Sequence, residues 1–226
     1  MSSTPPLAID HFSDILCIWA YVADARMSEL AAQFGGRVTV TWRCLSVFGN
    51  VPGKMTAAWG ARGGMPAYAA HVREIASAHP HVRLHADAWL RHVPQSSLPA
   101  HLVLCALRTA ETEQAVPGGT QCEFARRLRA AFFGAGEDIG ARPVLQALLE
   151  AARIAQHEVD TRIADGRAYA ALAEDLQLAK DLDVRASPTL LFNEGRQRLA
   201  GNVGYRIIQA NVRELLEHPQ AGHSWC

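Results

Sequence analysis

The sequence has no excess of charge: Lys and Arg number 22 and Asp and Glu number 22. It also lacks a basic run, so the usual electrostatic grounds for a nucleic-acid or anionic-membrane partner are missing. No apolar stretch approaches the length of a membrane span. Met1 to Pro6 is polar and proline-bearing, with no charged segment leading into an apolar core, so no signal peptide is expected. Close cysteine pairs are missing too: Cys17, Cys44, Cys105, Cys122 and Cys226 are scattered and odd in number. That pattern, without an export signal, predicts reduced thiols and a cytoplasmic location rather than a disulfide framework. No segment repeats at a fixed period.

The residues that are present favour a packed core. Hydrophobic residues make up 49% and charged residues 19% of 226 positions. This predicts a single domain, or one domain carrying a large insertion, and argues against disorder.

Leu7 to Ser13 reads as a strand whose alternation is blurred by Asp10 and His11. Trp19, Val22, Met27, Leu30 and Phe34 then fall near helical spacing, and Gly35-Gly36 supplies a stop. Val38, Val40, Trp42 and Cys44 alternate with Thr39, Thr41 and Arg43, which predicts a second strand, parallel to the first by the right-handed crossover rule. Ser46 to Gly64, glycine-rich and holding Pro52, reads as a loop. Helices are predicted near Pro66–Ala78, Leu98–Glu113, Glu123–Phe133, Pro143–His157 and Gly166–Lys180. Thr189 to Phe192 and Gln197 to Ala200 read as a hairpin through Asn193-Glu194-Gly195. A final helix is striped by Tyr205, Ile208, Val212, Leu215 and Leu216.

The order is β-α-β, then helices, then β-β-α. The expected fold is α/β, thioredoxin-like, with a large all-helical insertion. Residues 1–55 and 181–217 would form the thioredoxin-like domain, 56–180 the insertion and 218–226 a flexible tail.

One cysteine stands where chemistry is favoured. Cys17 lies at the junction of the first strand and helix, where unpaired N–H groups and the helix dipole favour thiolate over thiol. Around it, Asp14-x-x-Cys17-x-Trp19-x-Tyr21 resembles the DsbA-like thioredoxin-fold proteins, in the branch of FrnE-type oxidoreductases, 2-hydroxychromene-2-carboxylate isomerases and kappa-class glutathione transferases. Phe132 to Ile139, Val184-Arg185-Ala186-Ser187-Pro188-Thr189 and Gly201 are similar to further segments of that family. Two positions depart from the oxidoreductase pattern Cys-Pro-Trp-Cys: Ile18 stands for proline and Ala20 for the second cysteine. The isomerase and transferase branch usually carries serine where this chain has Cys17.

The resemblance implies a nucleophilic Cys17 facing a cis Pro188. The backbone of Ser187 would then hold an extended peptide or glutathione, with Trp19 and Asn202 also on the ligand and Asp14, Ala20 and Tyr21 in support. The transferase branch carries an Asp-Arg pair near the start of the last helix for the glutamyl end of glutathione; here the region reads Gly201-Asn202-Val203-Gly204-Tyr205-Arg206, without the aspartate, and Asn202 and the helix N-terminus would hold the carboxylate. With Ala20 in place of a second thiol, a mixed disulfide on Cys17 needs an outside thiol to release it.

Histidines His71, His79, His81, His85, His92 and His101 crowd one region but match no ligand motif, so solvated surface histidines are expected and no metal. Arg126-Arg127-Leu128-Arg129 reads as the solvated face of a helix. The expected activity is a DsbA-like monothiol thiol–disulfide oxidoreductase, coupled to glutathione. Its partners would be a small thiol or a protein disulfide, with no nucleic acid and no membrane, and a homodimer left open. One alternative is a glutathione-dependent transferase or isomerase of the kappa and hydroxychromene type. Another is a thioredoxin-fold binding module without catalysis.

Overall fold

A computed structural model describes residues 5–218. The tail expected at 218–226, with Cys226, therefore lies outside the described residues except for His218.

The chain begins with β1 (Leu7–Ser13), α1 (Ile18–Phe34) and β2 (Val38–Cys44). β1 and β2 pair in parallel, Leu7 opposite Val38 through Ser13 opposite Cys44. α1 stops at Gly35, whose φ of 51° is a left-handed conformation that costs a residue without a Cβ little. Helices follow: α2 (Val51–Trp59), α3 (Gly64–Ser77), α4 (Leu98–Thr112), α5 (Thr120–Arg129), α6 (Arg142–Ala151), α7 (Gln156–Ala164) and α8 (Arg167–Asp181). Then come β3 (Thr189–Phe192), β4 (Gln197–Ala200) and α9 (Tyr205–Glu217). The sheet order is β2-β1-β3-β4, with β3 antiparallel to both neighbours. The fold is thioredoxin-like, mostly helical, around one mixed sheet.

Two elements correct the sequence reading. The stretch expected as a loop contains α2. Its proline sits in the first turn, where no N–H is needed, and Asn50 caps it by accepting a bond from Gly53 N–H at 3.0 Å. The residues that looked like breakers are the ones that start this helix. The helix expected over 143–157 is two, α6 and α7, separated where Arg153 takes a positive φ of 57°.

Side chains from both sheet faces reach separate apolar clusters. Ile9, Leu190 and Phe192 meet Met27, Leu30 and Phe34 of α1 and Ile208, Val212 and Leu215 of α9. Phe12 and Leu191 meet Leu45, Ala179 and Val184 on the other side. A third cluster joins the start of α1 to α2 through α8 and includes Leu16, Cys17, Tyr68, Trp89 and Phe132. The Cys17 turn is thus embedded in the helical layer rather than standing clear of it.

Candidate active site

Cys17 is the N-cap of α1, with extended φ/ψ of −83° and 120°. Its carbonyl accepts from Ala20 and Tyr21 N–H, which opens the helix. The thiol donates to the Ser187 carbonyl at 3.3 Å, and the Ser187–Pro188 peptide bond is cis. Ser187 also accepts from Asp14 N–H on its hydroxyl at 3.0 Å, so it touches the Cys17 turn twice.

Asp14 is fully buried and organises the surrounding loops. Its Oδ1 accepts Leu16 N–H at 2.9 Å. Its Oδ2 accepts Val47 N–H at 2.8 Å, Phe48 N–H at 2.7 Å and the Ser97 hydroxyl at 3.0 Å. A carboxylate with this many donors is a staple between the β1–α1 turn, the loop after β2 and the start of α4. It is neither a simple cap nor a solvated acid.

His101 reaches the same turn from α4. Ile15 N–H donates to Nε2 at 3.1 Å, so the neutral ring carries its proton on Nδ1, directed at the Cys44 sulfur 2.8 Å away. Burial lowers the pKa of His101, with Asp14 opposing, so the ring stays neutral. This histidine corrects the expectation of a solvated cluster: His101 is wholly buried, while His81, His85 and His92 are exposed. Among the described residues no group of three His, Cys, Asp or Glu is arranged to hold a metal ion.

Electrostatics at Cys17 run against the helix-end expectation. Burial pushes the thiol above its ordinary range, as the residue is 7% exposed. The Ser187 side chain and the Ala20 N–H pull it down, and the charge on Asp14 pushes it up again. Desolvation outweighs the hydrogen bonds that favour the thiolate. Tyr68, on α3, lies within reach of the same charges: burial first, then Cys17 and Asp14, hold its phenol protonated.

The remaining candidates fall around this centre. Ala20 is fully buried, leaving no thiol beside Cys17 on its helix. Trp19 is half-buried and meets the His79 ring edge-on at 5.8 Å. Tyr21 stacks on Phe133 at 5.0 Å, with planes 8° apart. Pro188 accepts Gly201 N–H on its carbonyl at 2.7 Å, which places the Asn202 loop beside the cis bond. Asn202 accepts from Arg26 Nη1 at 2.5 Å. Cys44 and Cys105 are fully buried; burial pushes Cys105 up to about 12, and Cys44 further in the same direction.

Arg26, Tyr68, Ser97 and His101 were not foreseen as site residues. Arg26 lies two and a half turns along α1 from Cys17, half a turn out of phase with it, so helical spacing gave no sign that it borders the recess of Pro188 and Gly201. The others come from distant helices and left no local signal.

No curated protein sequence gives a match. Several solved structures do. The cytosolic disulfide reductase DsbM from Pseudomonas aeruginosa is 21% identical, with 92% of this chain and 99% of that one covered and a TM-score of 0.67. The same protein solved with GSH gives 94%, 98% and 0.63. A 2-hydroxychromene-2-carboxylate isomerase is 14% identical, with 96% and 100% covered and a TM-score of 0.64. At these identities the likeness shows the fold. A sequence model of the DSBA-like thioredoxin domain matches residues 8–212. The chain is therefore a member of the DSBA-like thioredoxin-domain family.

Proposed function

We propose that this protein is a monothiol thiol–disulfide oxidoreductase coupled to glutathione, with Cys17 as nucleophile. One observation carries the reading: the lone thiol at the head of α1 lies 3.3 Å from the Ser187 carbonyl before cis Pro188, with alanine where a resolving thiol would sit. The Ser187 backbone then meets a substrate main chain as the Cys17 sulfur meets its disulfide. Cys17 loses its proton and attacks one sulfur of glutathione disulfide. A Cys17–glutathione disulfide forms, and the departing glutathione thiolate takes up a proton. A second thiol attacks the mixed disulfide, becomes the new disulfide partner and returns Cys17 to its reduced form.

The carboxylate of glutathione has a place in this reading. Arg26 makes no ion pair among the described residues, borders the recess holding Pro188 and Gly201, and holds Asn202. Arg26 and Asn202 together supply the cation and hydrogen bonds that the transferase branch's Asp-Arg pair would give. Trp19, Asp14, Ala20 and Tyr21 complete the site as contact and support. The catalytic role fits a cytoplasmic enzyme, and one structural neighbour is a cytosolic disulfide reductase solved with GSH. We also infer that residues 1–55 and 181–217 form the thioredoxin-like unit that carries Cys17 and Pro188, and 56–180 the helical insertion over it.

Exposure to glutathione disulfide should add one glutathionyl group by intact mass, and Cys17→Ser should add none. Arg26→Ala should raise KM for glutathione about tenfold or more, the loss of one charge-assisted contact, with kcat little changed. An adduct on the Cys17→Ser protein would remove Cys17 from the mechanism. The transferase or isomerase reading is favoured by one feature, the missing second thiol; there, reduced glutathione would bind and stabilise the fold without a covalent adduct. Absence of both responses would leave a binding module.

A further inference from the structure

The zero net charge of the chain conceals a local imbalance. Residues 45–86, which include α2 and α3, carry Lys54, Arg62, Arg73 and Arg83 against one acid, Glu74. None of these four cations makes an ion pair among the described residues, whereas Arg43, Arg108, Arg129 and Arg162 each do.

Two of the four are mounted on aromatic rings. Lys54 Nζ lies 4.9 Å from the centre of the Phe48 ring, and the Arg62 guanidinium carbon 4.8 Å from that of Trp59. Tyr68 joins the two rings, 6.0 Å from Phe48 and 5.1 Å from Trp59. An aromatic face attracts a cation and steadies it while the outer side of the charge stays in water. Lys54 is half-buried and Arg62 exposed, so both charges remain open to a partner.

This strip starts beside the reacting centre. Phe48 donates its N–H to Asp14 at 2.7 Å and accepts Ser97 N–H on its carbonyl at 3.0 Å. Phe48, Tyr68 and Cys17 belong to one apolar cluster, and Trp59 packs against it.

The charges choose the partner. Between Leu45 and Arg73 the sequence holds no acid, so the strip has nothing of its own to neutralise Lys54 and Arg62. They stand on separate rings, and several carboxylates along one peptide can meet both. Nucleic acid suits a longer basic surface than two cations on a chain of zero net charge.

We propose that the strip carrying Lys54 and Arg62 docks the second substrate of Cys17, a cysteine within an acidic peptide segment. This rests on the glutathione-coupled reading of Cys17 and adds what the attacking thiol is attached to. The peptide thiol loses its proton and attacks the glutathione sulfur of the Cys17 adduct. A peptide–glutathione disulfide forms, and Cys17 leaves as thiolate and takes up a proton. Carboxylates flanking the peptide cysteine meet the strip as the two sulfurs approach, which raises the rate of encounter.

Three capped pentapeptides are the probes, a central cysteine flanked by glutamates, by lysines or by glycines. Each peptide's rate of discharging the Cys17 adduct, read by intact mass, is divided by its rate with free glutathione disulfide. That ratio removes the effect of the flanking charges on the thiol itself. At an ionic strength of about 0.01 M the glutamate peptide should exceed the glycine peptide about tenfold, and the lysine peptide should fall below it. By about 1 M the three should converge. Lys54→Gln with Arg62→Gln should bring the glutamate peptide to the glycine rate and leave the glycine rate and the adduct yield unchanged. Lys54→Glu with Arg62→Glu should reverse the order. Equal ratios for the three peptides in the unaltered protein, or a preference that survives both double substitutions, overturns the proposal.

If the unaltered protein takes up no glutathione, that reading of Cys17 fails and docking is measured without chemistry. The glutamate peptide with serine for cysteine should then change tryptophan fluorescence saturably, and the glutamine double variant should not respond. Absence of this response overturns the docking surface as well. A thymidine oligonucleotide that displaces the peptide at lower concentration than unlabelled peptide does would overturn the choice of partner.

Discussion

At the scale of the residue, Cys17 is a thiol held back. Its S–H donates a hydrogen bond to the Ser187 carbonyl, and burial raises the cost of ionisation. Because the shift is upward, the thiolate is scarce at neutral pH and grows as pH rises. Alkylation of Cys17 by a small reagent should therefore show a midpoint above about 8.5, the ordinary cysteine value. Cys17→Ser gives the blank. A midpoint below that value would mean the helix end outweighs desolvation. Much of this residue was legible: its place at a strand-to-helix junction followed from the strand-like run before it and the helical spacing after it. Its low exposure was not legible, because the residues covering it, Tyr68 and Phe132 among them, arrive from helices far along the chain. The same limit hid Arg129, whose triplet of arginines reads as solvated until Asp24 and Ser13 are seen beside it.

At the scale of the element, the β1–α1 turn is held from outside. Asp14 and His101 take the N–H groups of Ile15, Leu16, Val47 and Phe48, which belong to no strand ladder or helix. Asp14→Ala removes the acceptor for the Leu16 and Phe48 amides and the Ser97 hydroxyl, and one of two for the Val47 amide, at an expected cost of about 3 kcal/mol. Urea unfolding should show it as a lower midpoint at unchanged slope, and Cys17 should lose glutathione reactivity even under conditions where the variant is folded. A shift within about 0.5 kcal/mol would mean water replaces the carboxylate without loss. The sequence displayed Asp14 three residues before Cys17 but gave no sign of its partners. β2 was legible from its alternation, and β3 and β4 from two short runs joined by turn residues, while the alternation of β1 was blurred by Asp10 and His11. α2 was missed because Pro52 and Gly53 break a helix interior yet suit its first turn.

At the scale of the whole molecule, the helices after β2 are tied to the sheet by a second buried acid. Asp175 of α8 accepts from Arg43 of β2 at 3.2 Å, from Arg108 of α4 at 2.8 Å and from the Cys44 N–H at 2.9 Å. Asp175→Leu takes its carboxylate from Arg108, while Arg43 loses one of two and keeps Asp10 at 2.7 Å. Both keep some solvent contact, so the loss should be about 3 kcal/mol, at the lower end for a broken buried pair. The variant should still unfold in one transition, because the large apolar cluster joins α1 to the helical layer. Two separate transitions would show that this single tie, rather than apolar contact, couples the layers.

The stapling by Asp14 has a consequence for isotope exchange. Loops ordinarily trade their amide protons for deuterium quickly, through small local openings. Here the Phe48 amide is released only when the carboxylate at the foot of α1 lets go, and the Val47 amide only when that carboxylate and the Leu45 carbonyl both do; the carboxylate also holds Ser97 and Leu16. Their deuterium uptake should follow that of the central strand β1, so a short irregular stretch becomes the slow clock that times the opening of the Cys17 turn.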